Sequence, residues 1–192
     1  MDVEAIVFEP SGWVPNNQRL PVLRYRVDLA GAGEFEAMFA KNGWSGIWTN
    51  GVFDYQHYHT GAHEVLGIKR GTAILLIGGP EGQKFGVSPG DCLILPAGTG
   101  HKNLGSSQDF QVVGAYPPGQ HADIQRSAAS EEMLCKIASL PLPLTDPVSV
   151  YRVPYSISGA DRRPSRRLNL FSTGAFNSLP VPSPCEEKPF HS

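Results

Sequence analysis

Two histidines one residue apart, His57 and His59, followed by Glu64 and later by His101, are the residues of this chain best suited to chemistry. Side chains in an extended strand alternate between faces, so the two imidazoles share one side, roughly 7 Å apart along the backbone. That is a workable bite for one metal ion. A carboxylate and a third imidazole would complete a mixed nitrogen/oxygen set. The chemistry to expect is that of a metal held inside β-structure.

The elements needed to position such a set can be read in the chain. From Trp44 to Tyr116 short apolar stretches recur: Val65–Ile68, Ala73–Ile77, Cys92–Leu95 and Phe110–Tyr116. Phe53, Tyr55, His57 and His59 alternate with Val52, Asp54, Gln56 and Tyr58, which predicts a further strand. Gly78-Gly79-Pro80, Ser88-Pro89-Gly90 and Pro96-Ala97-Gly98 supply the turns. Regular short strands with Gly/Pro breaks predict a β-sandwich or barrel. Glu34 to Lys41 predicts a short helix with Phe35, Met38 and Phe39 on one face, stopped by Gly43. Ser130 to Leu140 predicts another, capped by Ser130, with an apolar stripe of Met133, Leu134, Ile137 and Ala138 read as core packing. Residues 1–30 carry Pro10, Pro15 and Pro21 and read as an extended arm with edge-strand pieces. Past Pro147 the chain turns basic and proline-rich, with Arg162, Arg163, Arg166 and Arg167, and a disordered tail is expected there.

The spacing is more specific than the residue types. Gly51 precedes His57 by five intervening residues, Glu64 follows His59 after four, and Gly71 follows after six more. Five residues then separate Gly90 from Pro96-Ala97-Gly98, and two more precede His101. These runs resemble the two motifs of the cupin superfamily, G-x5-HxH-x3,4-E-x6-G and G-x5-PxG-x2-H-x3-N. The first is matched at every fixed position. The second is matched through the histidine, but Gly105 stands where its asparagine belongs, and the nearest asparagine is Asn103. The phrases Asn42-Gly43-Trp44, His63-Glu64-Val65-Leu66-Gly67 and Tyr116-Pro117-Pro118-Gly119 are similar to the small single-cupin proteins of the YjlB-like subgroup, from Phe8 to about Pro147.

The resemblance implies an all-β fold: a single cupin jelly-roll barrel with a short N-terminal arm, one or two short helices and a disordered C-terminal tail. The expected divisions are an arm and helix over 1–43, the barrel over 44–125, a helix region over 126–147 and a divergent tail over 148–192. It maps His57, His59, Glu64 and His101 onto the cupin metal ligands. It implies one divalent transition metal, Fe(II) or Mn(II) first, with Zn, Ni or Co as alternatives. The function it suggests is a metal-dependent enzyme on a small oxygen-bearing organic molecule. Dioxygenation comes first, isomerisation and decarboxylation after it. The alternative is a non-enzymatic cupin that binds or senses a small metabolite. A homodimer is also implied.

Around the ligand set, Phe53 and Tyr55 are expected on the inward face, with Tyr55 a candidate to touch substrate and Leu66 and Ile68 as core. His63 alternates away from Glu64 and is read as outward or supporting a ligand, with ligand replacement or substrate contact as its other roles. Arg70, Lys102 and Asn103 are weaker candidates for the rim, and His121 and His191 lie outside the pattern.

Composition narrows the rest. Formal net charge is −2, so no global field recruits nucleic acid or an acidic membrane. No apolar run approaches the roughly 18 residues that a membrane span requires. The three cysteines, Cys92, Cys135 and Cys185, are far apart and form no CxxC pair. No disulfide framework is expected, and a cytoplasmic setting is. Cys92, in an apolar strand, reads as an inert core residue.

Overall fold

A computed structural model describes residues 3–29 and 34–149 of the chain. Nine strands and two helices occur among them. The strands are β1 (Val3–Ile6), β2 (Val22–Arg26), β3 (Ser45–Asn50), β4 (Glu64–Arg70), β5 (Ala73–Ile77), β6 (Gln83–Val87), β7 (Asp91–Leu95), β8 (His101–Ser106) and β9 (Gln111–Tyr116). The helices are α1 (Glu34–Lys41) and α2 (Glu131–Ser139). All strand pairings are antiparallel. A six-stranded sheet runs β1-β2-β7-β4-β9-β3, and a three-stranded sheet runs β6-β5-β8. The fold is all-β, as the sequence predicts.

Two apolar layers explain the strand sequences. Leu66, Ile68, Leu75, Ile77, Leu93 and Val112 pack into a core shared by strands of both sheets. Val65, Cys92, Ile94, Val113 and Ala115 form a second cluster with Phe35 and Phe39 of α1 and with Trp44. Strands β4, β7 and β9 are therefore covered on both faces. They read as nearly continuous apolar runs rather than a clean alternation. Glu64, Leu66 and Ile68 share one face of β4, so the strand that carries a carboxylate at its start fills the core further along.

Helix α1 sits close on the large sheet because β4 has no side chain at Gly67. A Cβ there would lie 2.6–2.8 Å from three atoms of the Phe35 ring. Gly67→Ala is expected to cost about 1–3 kcal/mol by pushing α1 outward, the usual range for overpacking. Urea denaturation checks it; an unchanged midpoint would show that α1 shifts freely.

Both helices start and stop near where the sequence predicts. Ser130 caps α2, its side chain accepting from the Met133 N–H at 3.2 Å. Only Ile137 of the α2 stripe is buried, against Tyr58 and Ala97; Leu134 is exposed. Beyond α2 the chain is strapped back toward the α1 end. Asn42 Nδ2 donates to the Pro147 carbonyl (2.7 Å) and Trp44 Nε1 to that of Thr145 (3.1 Å).

Three features differ from the sequence reading. The stretch holding Phe53, Tyr55, His57 and His59 is not a strand; it makes isolated bridges only, at His57 and Tyr58. Strands β6 and β8 are implied in the sequence by the 78–82 hairpin turn and by the turn before His101, but their bounds are not legible, since Gln83–Val87 and His101–Ser106 have little apolar alternation. Cys135 is disulfide-bonded, where no disulfide framework was expected. Cys92 is a free, fully buried thiol that burial pushes well above its ordinary range, which suits an inert core role. The expected tail, with its four arginines and His191, lies outside the described residues from 150 onward. Among the described residues no helix is long and apolar enough to cross a membrane.

Candidate metal centre

Each of the four candidate residues sits at a junction between elements. His57 and His59 lie on the link between β3 and β4. Glu64 opens β4 and His101 opens β8. His57 and His101 exchange backbone hydrogen bonds, His57 N–H to His101 at 3.2 Å and His101 N–H to His57 at 2.9 Å. Directly opposed residues of an antiparallel pair point their side chains to the same face, so this bridge sets the two rings together. The Pro96-Ala97-Gly98 turn completes the placement. Gly98 takes φ +90°, which a side chain would disfavour, and donates its N–H to the His59 carbonyl at 2.7 Å.

The three rings converge. Centroids are 4.1 Å apart for His57 and His101, 5.4 Å for His57 and His59, and 5.3 Å for His59 and His101. One nitrogen from each ring lies within 4.8 Å of the others, a spacing that could hold a metal ion. Glu64 Oε2 lies 3.4 Å from His59 Nε2 and 3.3 Å from His101 Nε2. All four residues are at most 7% exposed.

Hydrogen bonds set the tautomers. Nδ1 of His57 faces the Tyr55 carbonyl at 3.1 Å, that of His101 faces the Thr99 carbonyl at 3.1 Å, and that of His59 faces the Asp123 carbonyl. A carbonyl only accepts, so each Nδ1 carries the proton and each Nε2 presents a lone pair inward. Imidazole ligands to metals are oriented in this way. Glu64 Oε2 is buried and makes no hydrogen bond. Three inward lone pairs and an unbonded carboxylate oxygen repel one another unless a cation sits among them. The donor set therefore fits a divalent transition metal.

Without a metal, a proton on His59 Nε2 beside Glu64 takes the place of that cation. Burial, reinforced by the His101 ring, pushes His57 down to about 3. Burial alone would lower His59, but the Glu64 carboxylate and the Asp123 carbonyl outweigh it and leave His59 raised. Burial alone would raise Glu64, yet the His59 and His101 rings hold it well below the usual carboxylate range.

No family model matches the chain. A curated relative does: the "Uncharacterized protein YjlB" of Bacillus subtilis (strain 168) is 37% identical over 155 residues, covering 80% of this chain and 94% of that protein. The chain belongs to the YjlB family. Among solved structures, an acireductone dioxygenase from Bacillus anthracis with a cadmium ion in its active centre overlaps 49% of this chain and 60% of its own, at 24% identity and a TM-score of 0.31. So slight a likeness carries no argument about chemistry.

In this member of the YjlB family the residues around the rings hold two that the sequence reading missed. Asp123 is the first. Its carboxylate accepts from the Thr60 and Gly61 N–H groups (both 2.8 Å), the Thr60 hydroxyl (2.7 Å) and Gln125 Nε2 (2.7 Å). Burial alone would raise this carboxyl, but those donors hold it well below the usual range. With its own carbonyl on His59, Asp123 clips the 121–126 segment to the ligand loop. Asp123→Ala is expected to cost about 3 kcal/mol, given several hydrogen bonds to one charged group. Denaturation of the metal-free protein checks this, and a loss under about 1 kcal/mol would show that the loop holds itself.

Tyr116 is the second. Its hydroxyl accepts from Trp48 Nε1 at 2.9 Å and lies near enough to the Glu64 carboxylate to feel its charge. Burial and the Glu64 charge both raise its pKa. Nothing in its local sequence distinguishes it from an ordinary strand-end tyrosine.

The remaining candidates fall as follows. Phe53 and Tyr55 stack at 4.7 Å with 16° between planes, and both meet His57 edge-on, at 5.3 and 5.5 Å. Phe53 is 47% exposed, so it forms the rim rather than the interior. His63 is fully buried, with the opposite tautomer to the other three. Its Nδ1 accepts from the Ala97 N–H at 3.0 Å, and burial pushes it down to about 4, a fall that the nearby Pro141 carbonyl only partly offsets. It ties the β7 turn to the start of β4 and does not join the cluster. Arg70 is exposed and bonds Gln111, and Asn103 bonds Ser106; neither is brought to the rings. Lys102 is half-buried next to His101. His121 is exposed beside a recess of about 310 Å³ that Tyr116 also lines.

Proposed function

We propose that this protein is a metal-dependent enzyme acting on a small oxygen-bearing organic molecule. His57, His59 and His101 hold one divalent transition metal through Nε2, and Glu64 completes the set through its carboxylate. Fe(II) or Mn(II) is the favoured ion and dioxygenation the favoured reaction, because histidine and carboxylate ligands with open positions suit dioxygen chemistry. When bound, the ion supplies Lewis acidity to a ligated substrate oxygen and, if redox-active, a path for electrons. The chain's own residues fix three lone pairs, exclude water and shape an aromatic rim.

The observation that carries this reading is the orientation of the three rings by backbone carbonyls toward one buried, unbonded carboxylate oxygen. Elemental analysis of protein purified without added metal or chelator tests it. Near-stoichiometric iron or manganese is expected. Stoichiometric zinc would move the chemistry toward hydrolysis or isomerisation, and absence of any metal would sink the reading. A homodimer goes with it, since β1 is an edge of the large sheet and edges invite pairing. A monomeric mass that persists at high concentration would remove the dimer.

A further inference from the structure

Arg126 stands beside the metal cluster although nothing in its local sequence marks it. Tyr58 and Gln125 exchange backbone hydrogen bonds, 3.1 Å from the Tyr58 N–H and 2.9 Å from that of Gln125. Further along, the His121 N–H bonds the Gly61 carbonyl at 3.3 Å, one residue out of that register, so the placement of Arg126 rests on the Tyr58–Gln125 bridge itself. In the register of that bridge Arg126 is opposite His57. Opposed residues share a face, so Arg126 projects to the side that His57 occupies. His57 is bridged to His101 on its other edge. The order across this patch is therefore His101, His57, Arg126, all on one face.

The side chain agrees with the backbone. The guanidinium carbon lies 4.1 Å from the centre of the Tyr55 ring. Phe53 stacks on Tyr55, and both rings meet His57. A guanidinium held near an aromatic ring keeps N–H donors in its own plane for an anion. Arg126 is exposed and makes no ion pair among the described residues. The four-residue cluster carries one carboxylate against a divalent ion, so a bound metal leaves positive charge there and Arg126 adds to it.

We propose that Arg126 is the specificity-determining residue of this site. It binds the carboxylate of a substrate whose neighbouring hydroxyl or carbonyl oxygen ligates the metal, with the substrate's apolar body against the Phe53–Tyr55 rim. The substrate class is thus a small hydroxy- or oxo-carboxylate. This rests on the metal-enzyme reading above.

The test uses the full chain loaded with Co(II), whose visible spectrum reports ligand exchange at the metal. Mandelate and mandelamide are the probes: they share a ring and a hydroxyl and differ in charge. Wild type is expected to bind mandelate at least tenfold more tightly. Arg126→Gln should bring the two probes within about twofold, with Co(II) content and melting temperature unchanged, and Arg126→Lys should keep part of the preference. If Arg126→Gln keeps both its Co(II) and the full preference for mandelate, Arg126 does not select the substrate and the inference falls while the metal reading stands. Equal binding of the two probes by wild type overturns it in the same way. A wild type that retains no Co(II) overturns both.

Discussion

Replacing His101 by alanine is expected to strip the protein of its metal. His101 is the hub of the cluster: its ring centroid is 4.1 Å from that of His57 and 5.3 Å from that of His59, and its Nε2 is 3.3 Å from Glu64 Oε2. Losing even a group that only orients a ligand commonly weakens metal affinity about 10–100-fold, so losing a ligand should weaken it by at least about 100-fold. After dialysis, His101→Ala and His57→Ala should each retain under about one-tenth of the wild-type metal. The comparison needs a histidine that is not in the cluster, and exposed His121 provides one; His121→Ala should retain the full amount. Two site variants that both keep wild-type metal would sink the assignment. The backbone bridge between His57 and His101 does not use either side chain, so both variants should keep the fold and lose only the ion.

The second large effect is expected at a residue with no side chain. Gly114 of β9 faces the indole of Trp48, and a Cβ there would lie 2.1 Å from two of its ring carbons. Trp48 cannot give way cheaply, because its Nε1 is bonded to the Tyr116 hydroxyl and its ring packs on the inter-sheet core. Gly114→Ala should therefore destabilise the protein by about 3 kcal/mol or more, the upper part of the overpacking range. For a chain of this size that corresponds to a melting temperature roughly 10 °C lower. The displaced Trp48 would also shift Tyr116, whose hydroxyl it holds near Glu64, so metal affinity should fall with stability. Gly86→Ala is the matched control, since nothing lies within 4 Å of a Cβ there. If both variants melt within about 2 °C of wild type, the indole has room that the geometry denies it.

Much of this was legible in the chain, and the rest was not for identifiable reasons. The spacing of His57, His59, Glu64 and His101 marks the cluster because turns and strand starts fix where each residue emerges. Strands β4, β5, β7 and β9 announce themselves through apolar runs buried on one or both faces, and α1 and α2 through caps and a one-sided stripe. The link carrying His57 and His59 looked like a strand because its side chains alternate. Its backbone instead bonds His101 on one edge and Gln125 on the other, too briefly to continue a ladder with either. The bounds of β6 and β8 escaped because only Phe85 and Val87 of β6, and His101 of β8, are buried. Asp123 and Arg126 sit in Ala122-Asp123-Ile124-Gln125-Arg126-Ser127, which has no periodicity and comes more than sixty residues after His57 and His59. Only the register of one bridge brings them to the site.

The three ring partners, at Tyr55, Thr99 and Asp123, are all main-chain carbonyls. No amino-acid substitution deletes a carbonyl. The orientation of the rings is thus shielded from single replacements at Tyr55 and Thr99, whereas at Asp123 the side chain also anchors the backbone that carries its carbonyl. The exposure to sequence drift lies there and in whatever else shifts the backbone itself: an insertion in the 121–126 segment, or any side chain at Gly98. Lineages that changed chemistry on this scaffold would be expected to carry length changes in those two places before they carry changes in the histidines.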